Sequence, residues 1–91
     1  MEQGSFQLRV SGRVQGVGFR YAARNQARAL GLKGWVSNLE DGSVLIRIQG
    51  RHASCLRFIS WCRQGPPYAW VEDVECREVA HEELGPFSVR Y

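Results

Sequence analysis

The stretch FQLRVSGRVQGVGFRYAARNQARALG, residues 6–31, joins a strand, a glycine loop and a helix in immediate succession. From Phe6 to Ser11 apolar and polar residues alternate, which is typical of a half-buried strand. From about Arg20 the small and apolar residues recur at helical spacing, and Gly31 suits a helix C-terminus. The segment therefore predicts a β-α unit with a glycine loop at its centre.

The following segment, KGWVSNLEDGSVLIRIQG, predicts a hairpin because two extended runs flank Asp41-Gly42. ASCLRFISWCRQG then predicts a second helix, which Gly65-Pro66-Pro67 ends. We expect its buried stripe to contain Cys55, Ile59 and Cys62, with Leu56 beside it.

Two further strands complete the predicted order. WVEDVECREV reads as an irregular strand, and PFSVRY alternates as a short last strand. The order β-α-β-β-α-β with an extra C-terminal strand predicts an α+β, ferredoxin-like fold, in which two helices cover one face of an antiparallel sheet.

Length and charge narrow the function classes. The 91 residues predict a single domain spanning 1–91, with a hydrophobic content of 44%. The net charge is only +3, and the basic residues are spread from Arg9 to Arg90. This distribution favours a small anionic ligand over a nucleic acid, which needs a continuous basic stripe.

No secretory leader and no apolar run of membrane-spanning length is present, so we expect a cytoplasmic protein that does not bind membranes.

The three cysteines, Cys55, Cys62 and Cys76, cannot all pair within one chain. Reduced thiols are expected in the cytosol. The spacing of His52, Cys55 and Cys62 does not match a zinc knuckle. We therefore expect buried structural cysteines without a metal.

The loop GRVQGVGFR, residues 12–20, has the properties of an anion site. Glycines let successive N–H groups point toward one position, and a helix N-terminus adds positive potential. Arg20 would add a guanidinium suited to two phosphate oxygens. The loop lacks the Lys-Ser/Thr pair of a P-loop and the third glycine of a dinucleotide fingerprint. Spacing alone leaves open a turn that is shaped only by packing.

GRVQGVGFR followed by GLKGWVSNLEDGSV resembles the acylphosphatase family, and WCRQGPPYAWVEDVE and FSVRY extend the likeness over nearly the whole chain. The resemblance implies that the loop binds phosphate, that Arg20 contacts it, and that Asn38 positions the attacking water. The implied phosphate-binding residues are Gln15, Gly16, Val17, Gly18, Phe19 and Arg20.

The resemblance also implies hydrolysis of the carboxyl-phosphate bond of a small acyl phosphate, without metal or other cofactor. Inorganic phosphate would be both product and competitive inhibitor, and the enzyme would act as a monomer. The chemistry is consistent with so few side chains, because a carboxylate with a pKa of about 4 leaves without a general acid.

Two other functions share this layout. An RNA-binding module of the RRM type would carry stacking aromatics on its third strand, and SVLIRIQG has none. A non-catalytic acyl-phosphate-binding domain, like the acylphosphatase-like module of larger carbamoyl-transfer proteins, would lack turnover. We expect Trp35, Trp61 and Trp70 to pack in or around the core, and Glu40, Asp41 and His81 to be surface or turn residues.

Overall fold

The computed structural model describes residues 2–91. Its helices are α1, Phe19–Ala29, and α2, His52–Gln64. Its strands are β1, Gln3–Arg13; β2, Lys33–Asn38; β3, Val44–Arg51; β4, Trp70–Glu78; and β5, Ser88–Arg90. The predicted element order is confirmed, and β1 is longer than the alternation indicated. None of the helices in residues 2–91 has the length and apolar character needed to cross a membrane.

The five strands form one sheet in the order β4-β1-β3-β2-β5. The four longer strands pair with one another in antiparallel fashion, as predicted. β5 runs parallel to β2, with Val36 opposite Val89, so the sheet as a whole is mixed. Because the chain runs in the same direction in β1, β2 and β5, their C-terminal ends lie together at one end of the sheet. The glycine loop lies at that end.

Both helices pack on one face of the sheet and enclose the core. Ala23 and Ala27 of α1 are fully buried, and so are the alternating β3 residues Val44, Ile46 and Ile48. In α2 the buried stripe contains Cys55, Phe58, Ile59 and Cys62. Leu56, beside this stripe, is 51% exposed. Phe58, which was not among the predicted stripe residues, is fully buried.

The irregularity predicted for β4 is confirmed by its pairing with β1. The register shifts between Ser11 and Gly12, which is the signature of a β-bulge. Trp61 packs on the rings of Phe19 and Phe58, as expected of a core aromatic. Trp70 is 70% exposed at the start of β4, so the expectation that it packs in or around the core is wrong.

Candidate functional site

The glycine loop has the geometry of an anion-binding nest. Gly16 and Gly18 have φ values of 76° and 79°, in the left-handed region that L side chains rarely adopt. Left-handed residues between right-handed or extended ones turn neighbouring N–H groups toward a common point. Gly18 is the N-cap of α1, and no side chain caps that end of the helix. The first N–H groups of α1 therefore remain available to a ligand.

Phe19 fixes this loop to the core. Its side chain is 1% exposed and packs against Trp61, with ring centroids 5.6 Å apart. The buried ring holds the helix start in place, so only the backbone of Phe19 is available to a ligand. The prediction that Phe19 belongs to the phosphate loop, defined here as residues 15–19, fits this placement.

Arg20 extends from the first turn of α1 and is held by the last residues of the sheet. Its Nη1 donates a hydrogen bond to the Arg90 carbonyl at 3.0 Å, and its guanidinium lies 4.7 Å from the Tyr91 ring centroid. Within residues 2–91 no carboxylate forms an ion pair with Arg20. Its positive charge is therefore oriented by neutral partners and remains available to an anion.

Asn38 is the last residue of β2 and is half-buried. Its Oδ1 is buried and has no hydrogen-bond partner among the described residues. A buried amide oxygen without a partner loses free energy on the order of 1–3 kcal/mol, so such an atom points to a missing water or ligand group. Because an amide has both donor and acceptor atoms, Asn38 can either donate a hydrogen bond to a water molecule or accept one from it.

These groups line one shallow pocket of about 150 Å³. Of the predicted site residues, the pocket brings together Gly16, Gly18, Phe19, Arg20 and Asn38. The sequence did not indicate the other lining residues, which are Val14, Tyr21, Val89 and Tyr91. The position of Tyr21 directly after Arg20 was the only signal that could have indicated it.

Gln15 and Val17 do not line the pocket. Val17 is half-buried and packs against the core. The Gln15 amide instead donates to the carbonyls of Leu39 and Ser43, at 2.8 and 2.9 Å. These carbonyls flank the turn that follows Asn38, so Gln15 ties the phosphate loop to the strand end that carries Asn38.

The turn itself is held by Asp41. Its Oδ1 accepts a hydrogen bond from the Ser43 backbone N–H at 2.9 Å, and its carboxylate pairs with Arg9. The assignment of Asp41 to a turn is thus confirmed. Two features fix the position of Asn38: the turn that follows it, and its pairing with Val44 of β3.

None of the three cysteines lines the pocket. Cys55 and Cys62 are buried free thiols, as predicted, whereas Cys76 is exposed, so that part of the prediction is wrong. Burial raises the pKa of the Cys55 thiol from 9.0 to about 11, and the same cause raises the pKa of Cys62 further. Cys76 lies on β4 at the edge of the sheet, where no strand or helix of residues 2–91 covers it fully.

A larger cavity, of about 280 Å³, lies on the sheet face opposite the helices. Arg9, Glu75 and Arg77 line it, together with Gln7 and Leu45. It contains charges of both signs and neither a glycine nest nor a helix N-terminus. The smaller pocket therefore has the chemistry of an anion site, and the larger cavity does not.

Comparison with known proteins agrees with this geometry. The acylphosphatase family model matches residues 6–89. An acylphosphatase from Anaeromyxobacter sp. is 49% identical over 83 residues, covering 90% of this chain and 89% of the relative. An acylphosphatase structure from Coxiella burnetii superposes with a TM-score of 0.93 at 39% identity, covering 97% of this chain and 93% of that one. One from Bacillus subtilis gives a TM-score of 0.93 at 35% identity, covering 99% and 100%. The chain therefore belongs to the acylphosphatase family.

Proposed function

We propose that this acylphosphatase-family hydrolase binds the phosphate of an acyl phosphate in the pocket formed by the phosphate loop, Arg20 and Asn38. The observation that carries the proposal is the meeting of three features in one cavity. These are a glycine nest at a helix N-terminus and, among residues 2–91, a guanidinium without an acidic partner and a buried amide oxygen without a hydrogen-bond partner.

Phosphate binding follows from the positive potential of the pocket. The N–H groups of residues 15–19 and of the first turn of α1 donate to the equatorial phosphate oxygens. Arg20 adds a charge-assisted hydrogen bond, and its contacts with Arg90 and Tyr91 orient the guanidinium before substrate arrives. Phosphoryl transfer depends mainly on positioning and on compensating charge at these oxygens.

Asn38 holds the attacking water. Its unpartnered Oδ1 accepts a hydrogen bond from the water, which directs an oxygen lone pair toward phosphorus. The carboxylate leaves without a proton because its pKa is about 4. The proton of the water passes late to a phosphate oxygen of the substrate, so no side chain has to act as a general base.

The proposed reaction uses no metal or other cofactor. In the part of the chain that the structure describes, no cluster of three or more His, Cys, Asp or Glu side chains is arranged to hold a metal ion. The pocket is lined by an arginine, an amide and glycine backbone, and hard divalent cations prefer carboxylate oxygens. The positive charge that a metal would supply comes instead from Arg20 and the nest.

The remaining parts of the proposal concern the enzyme as a whole. It acts as a single domain spanning 1–91, as a monomer and in the cytoplasm, with inorganic phosphate as product and competitive inhibitor. We propose no nucleic-acid partner, because β3 carries no stacking aromatic and the basic residues do not form a stripe. A non-catalytic binding domain is the alternative, and steady turnover of acetyl phosphate by the purified chain would refute it.

The proposed site is tested by phosphate-dependent thermal stabilisation. Phosphate at a hundred times its dissociation constant adds about 2.7 kcal/mol to the free energy of unfolding. Arg20→Ala should lose most of this gain, because Arg20 is the one side-chain cation among the described residues that line the pocket. Arg57→Ala, an exposed arginine of α2, is the matched control and should keep it. Equal stabilisation of both variants would place the phosphate elsewhere.

A further inference from the structure

We propose that Tyr21 determines acyl-group specificity, and that its ring favours acyl phosphates with a planar aromatic acyl group over acetyl phosphate. The inference rests on the proposed phosphate site, because it concerns the part of the substrate that extends from that site.

Tyr21 follows Arg20 in the first turn of α1, and it lines the same pocket as Arg20 and Asn38. The residue is 59% exposed, so most of its ring is accessible to a ligand in the pocket. Its ring does not contribute to the core, so folding does not explain its place at the pocket. An exposed aromatic ring beside a binding site commonly supplies contact area for a ligand.

The pocket has a polar part that suits the phosphate end of the substrate and an apolar part that suits the acyl end. The nest, Arg20 and Asn38 occupy the polar part, where phosphate and water bind. The other lining residues are apolar or aromatic, and since Val14 and Phe19 are buried, the accessible part of this wall comes from Tyr21, Val89 and Tyr91. Phosphorus is joined to the acyl group through a single oxygen, so the acyl group lies within a few bonds of the phosphate and within reach of the aromatic rings of this wall.

The Tyr21 ring is held in place before a substrate arrives. The Arg24 guanidinium lies 4.1 Å from the centroid of the Tyr21 ring and covers one of its faces. Arg24 is itself fixed by a hydrogen bond to the Asn25 side chain at 3.3 Å. A ring that is already oriented loses little rotational freedom when a ligand stacks on it, so more of the contact energy appears as affinity.

Tyr91 also lines the pocket, but its role differs. Its ring lies against the Arg20 guanidinium, so a change at Tyr91 would alter phosphate binding and acyl contact together. Tyr21 touches neither the guanidinium of Arg20 nor the Asn38 amide through a hydrogen bond or a stacking contact among the described residues. Its effect on specificity can therefore be measured separately from phosphate binding.

The experiment compares kcat/KM for benzoyl phosphate with kcat/KM for acetyl phosphate in the parent enzyme, Tyr21→Ala and Tyr21→Phe. Stacking of two aromatic rings typically changes a binding equilibrium about 3- to 10-fold beyond the effect of buried area. Tyr21→Ala should lower the benzoyl-to-acetyl ratio by about this factor, whereas Tyr21→Phe should keep the parent ratio. Tyr68→Ala is the control, because Tyr68 is 83% exposed and does not line the pocket.

Inhibition by inorganic phosphate, measured in the same series and in Arg20→Ala, distinguishes the possible failures. An unchanged inhibition constant in Tyr21→Ala together with a lowered ratio supports the inference. An unchanged ratio, with phosphate inhibition lost only in Arg20→Ala, would overturn the role of Tyr21 and leave the phosphate site intact. Full phosphate inhibition in Arg20→Ala would overturn the site and with it the inference.

Discussion

Gln15→Ala removes the link between the phosphate loop and the turn that follows Asn38. In the parent, the Gln15 amide donates to the Leu39 and Ser43 carbonyls at 2.8 and 2.9 Å. The substitution deletes both hydrogen bonds and leaves the glycines of the loop and the backbone of the turn unchanged. It therefore tests whether the relative position of loop and turn matters for activity.

The expected loss in the free energy of unfolding depends on which hydrogen bonds the Leu39 and Ser43 carbonyls keep. A hydrogen bond typically contributes about 0.5–1.5 kcal/mol, so two contribute about 1–3 kcal/mol. The Leu39 carbonyl still accepts from the Gly42 N–H at 3.2 Å, and the Ser43 carbonyl from the Leu39 N–H at 2.9 Å. Since neither acceptor is orphaned, the loss belongs in the lower part of that range, about 1–2 kcal/mol. In a domain of this size each kcal/mol lowers Tm by about 4–8 °C.

Activity should fall more steeply than phosphate affinity. A shift of about 1 Å between Asn38 and the loop misaligns the water, and displacements of that size can cost about 10²-fold in rate. Phosphate still contacts the nest and Arg20, so its inhibition constant should change little. We expect kcat for acetyl phosphate to fall at least about tenfold, within the range typical of lost positioning.

Urea denaturation gives the free energy of unfolding, and steady-state kinetics gives kcat and the phosphate inhibition constant. Gln64→Ala, at the exposed end of α2, is the control and should stay within about 0.5 kcal/mol of the parent. If Gln15→Ala matched Gln64→Ala in both stability and kcat, the positioning role of Gln15 would be refuted.

Four further predictions concern the loop, the thiols and the cofactor requirement. Gly18→Ala should lower the free energy of unfolding by about 1–2 kcal/mol in urea denaturation, because φ is 79° there although a Cβ would meet no atom within 4 Å. Iodoacetamide should label only Cys76 in the native protein, as read by mass spectrometry, since Cys55 and Cys62 are buried. Because burial raises the pKa of Cys55 from 9.0 to about 11, the free energy that the buried thiol contributes to folding is complete below pH 9 and is lost as the pH rises to about 11. Denaturation of the parent and of Cys55→Ala, measured over this pH range, would reveal the loss. Hydrolysis of acetyl phosphate should be unchanged by excess EDTA, and loss of activity that magnesium restored would contradict the proposed chemistry.

Much of the fold could be predicted because its signals are local. Alternation in β1, the Asp41-Gly42 turn and the Gly65-Pro66-Pro67 stop each depend on neighbouring residues alone. The direction of β5 is different. Its strand has three residues, and apolar alternation is the same for a parallel and an antiparallel neighbour, so only the tertiary structure shows that β5 runs parallel to β2.

The candidate site was predictable to the same extent. Glycines beside an arginine at a helix start indicate an anion site from local geometry. The side-chain role of Gln15 depends on a turn more than 20 residues away, and the place of Tyr21 in the pocket depends on how α1 packs beside β5. Exposure of Cys76 likewise depends on β4 being an edge strand. Contacts between distant segments leave no short-range pattern in the sequence.

Turnover of Asn38→Ala, measured together with its inhibition by inorganic phosphate, tests the proposed division of roles between Arg20 and Asn38. In the proposed site Arg20 contacts phosphate in both ground and transition states, whereas Asn38 contacts the water. Loss of one oriented hydrogen-bonding group typically costs on the order of 10²–10³ in kcat. Asn38→Ala should therefore hydrolyse acetyl phosphate at least about a hundredfold more slowly while its phosphate inhibition constant stays near the parent value.

Two further variants separate the role of the Asn38 amide from a general effect of substitution at the end of β2. Ser37→Ala, the neighbouring residue on the other face of β2, should keep parent turnover. Asn38→Asp should be as slow as Asn38→Ala, because its carboxylate keeps an acceptor but repels the phosphate dianion. A hundredfold loss confined to the Asn38 variants, with phosphate inhibition retained in Asn38→Ala, is the predicted result. Near-parent turnover in Asn38→Ala would contradict the account.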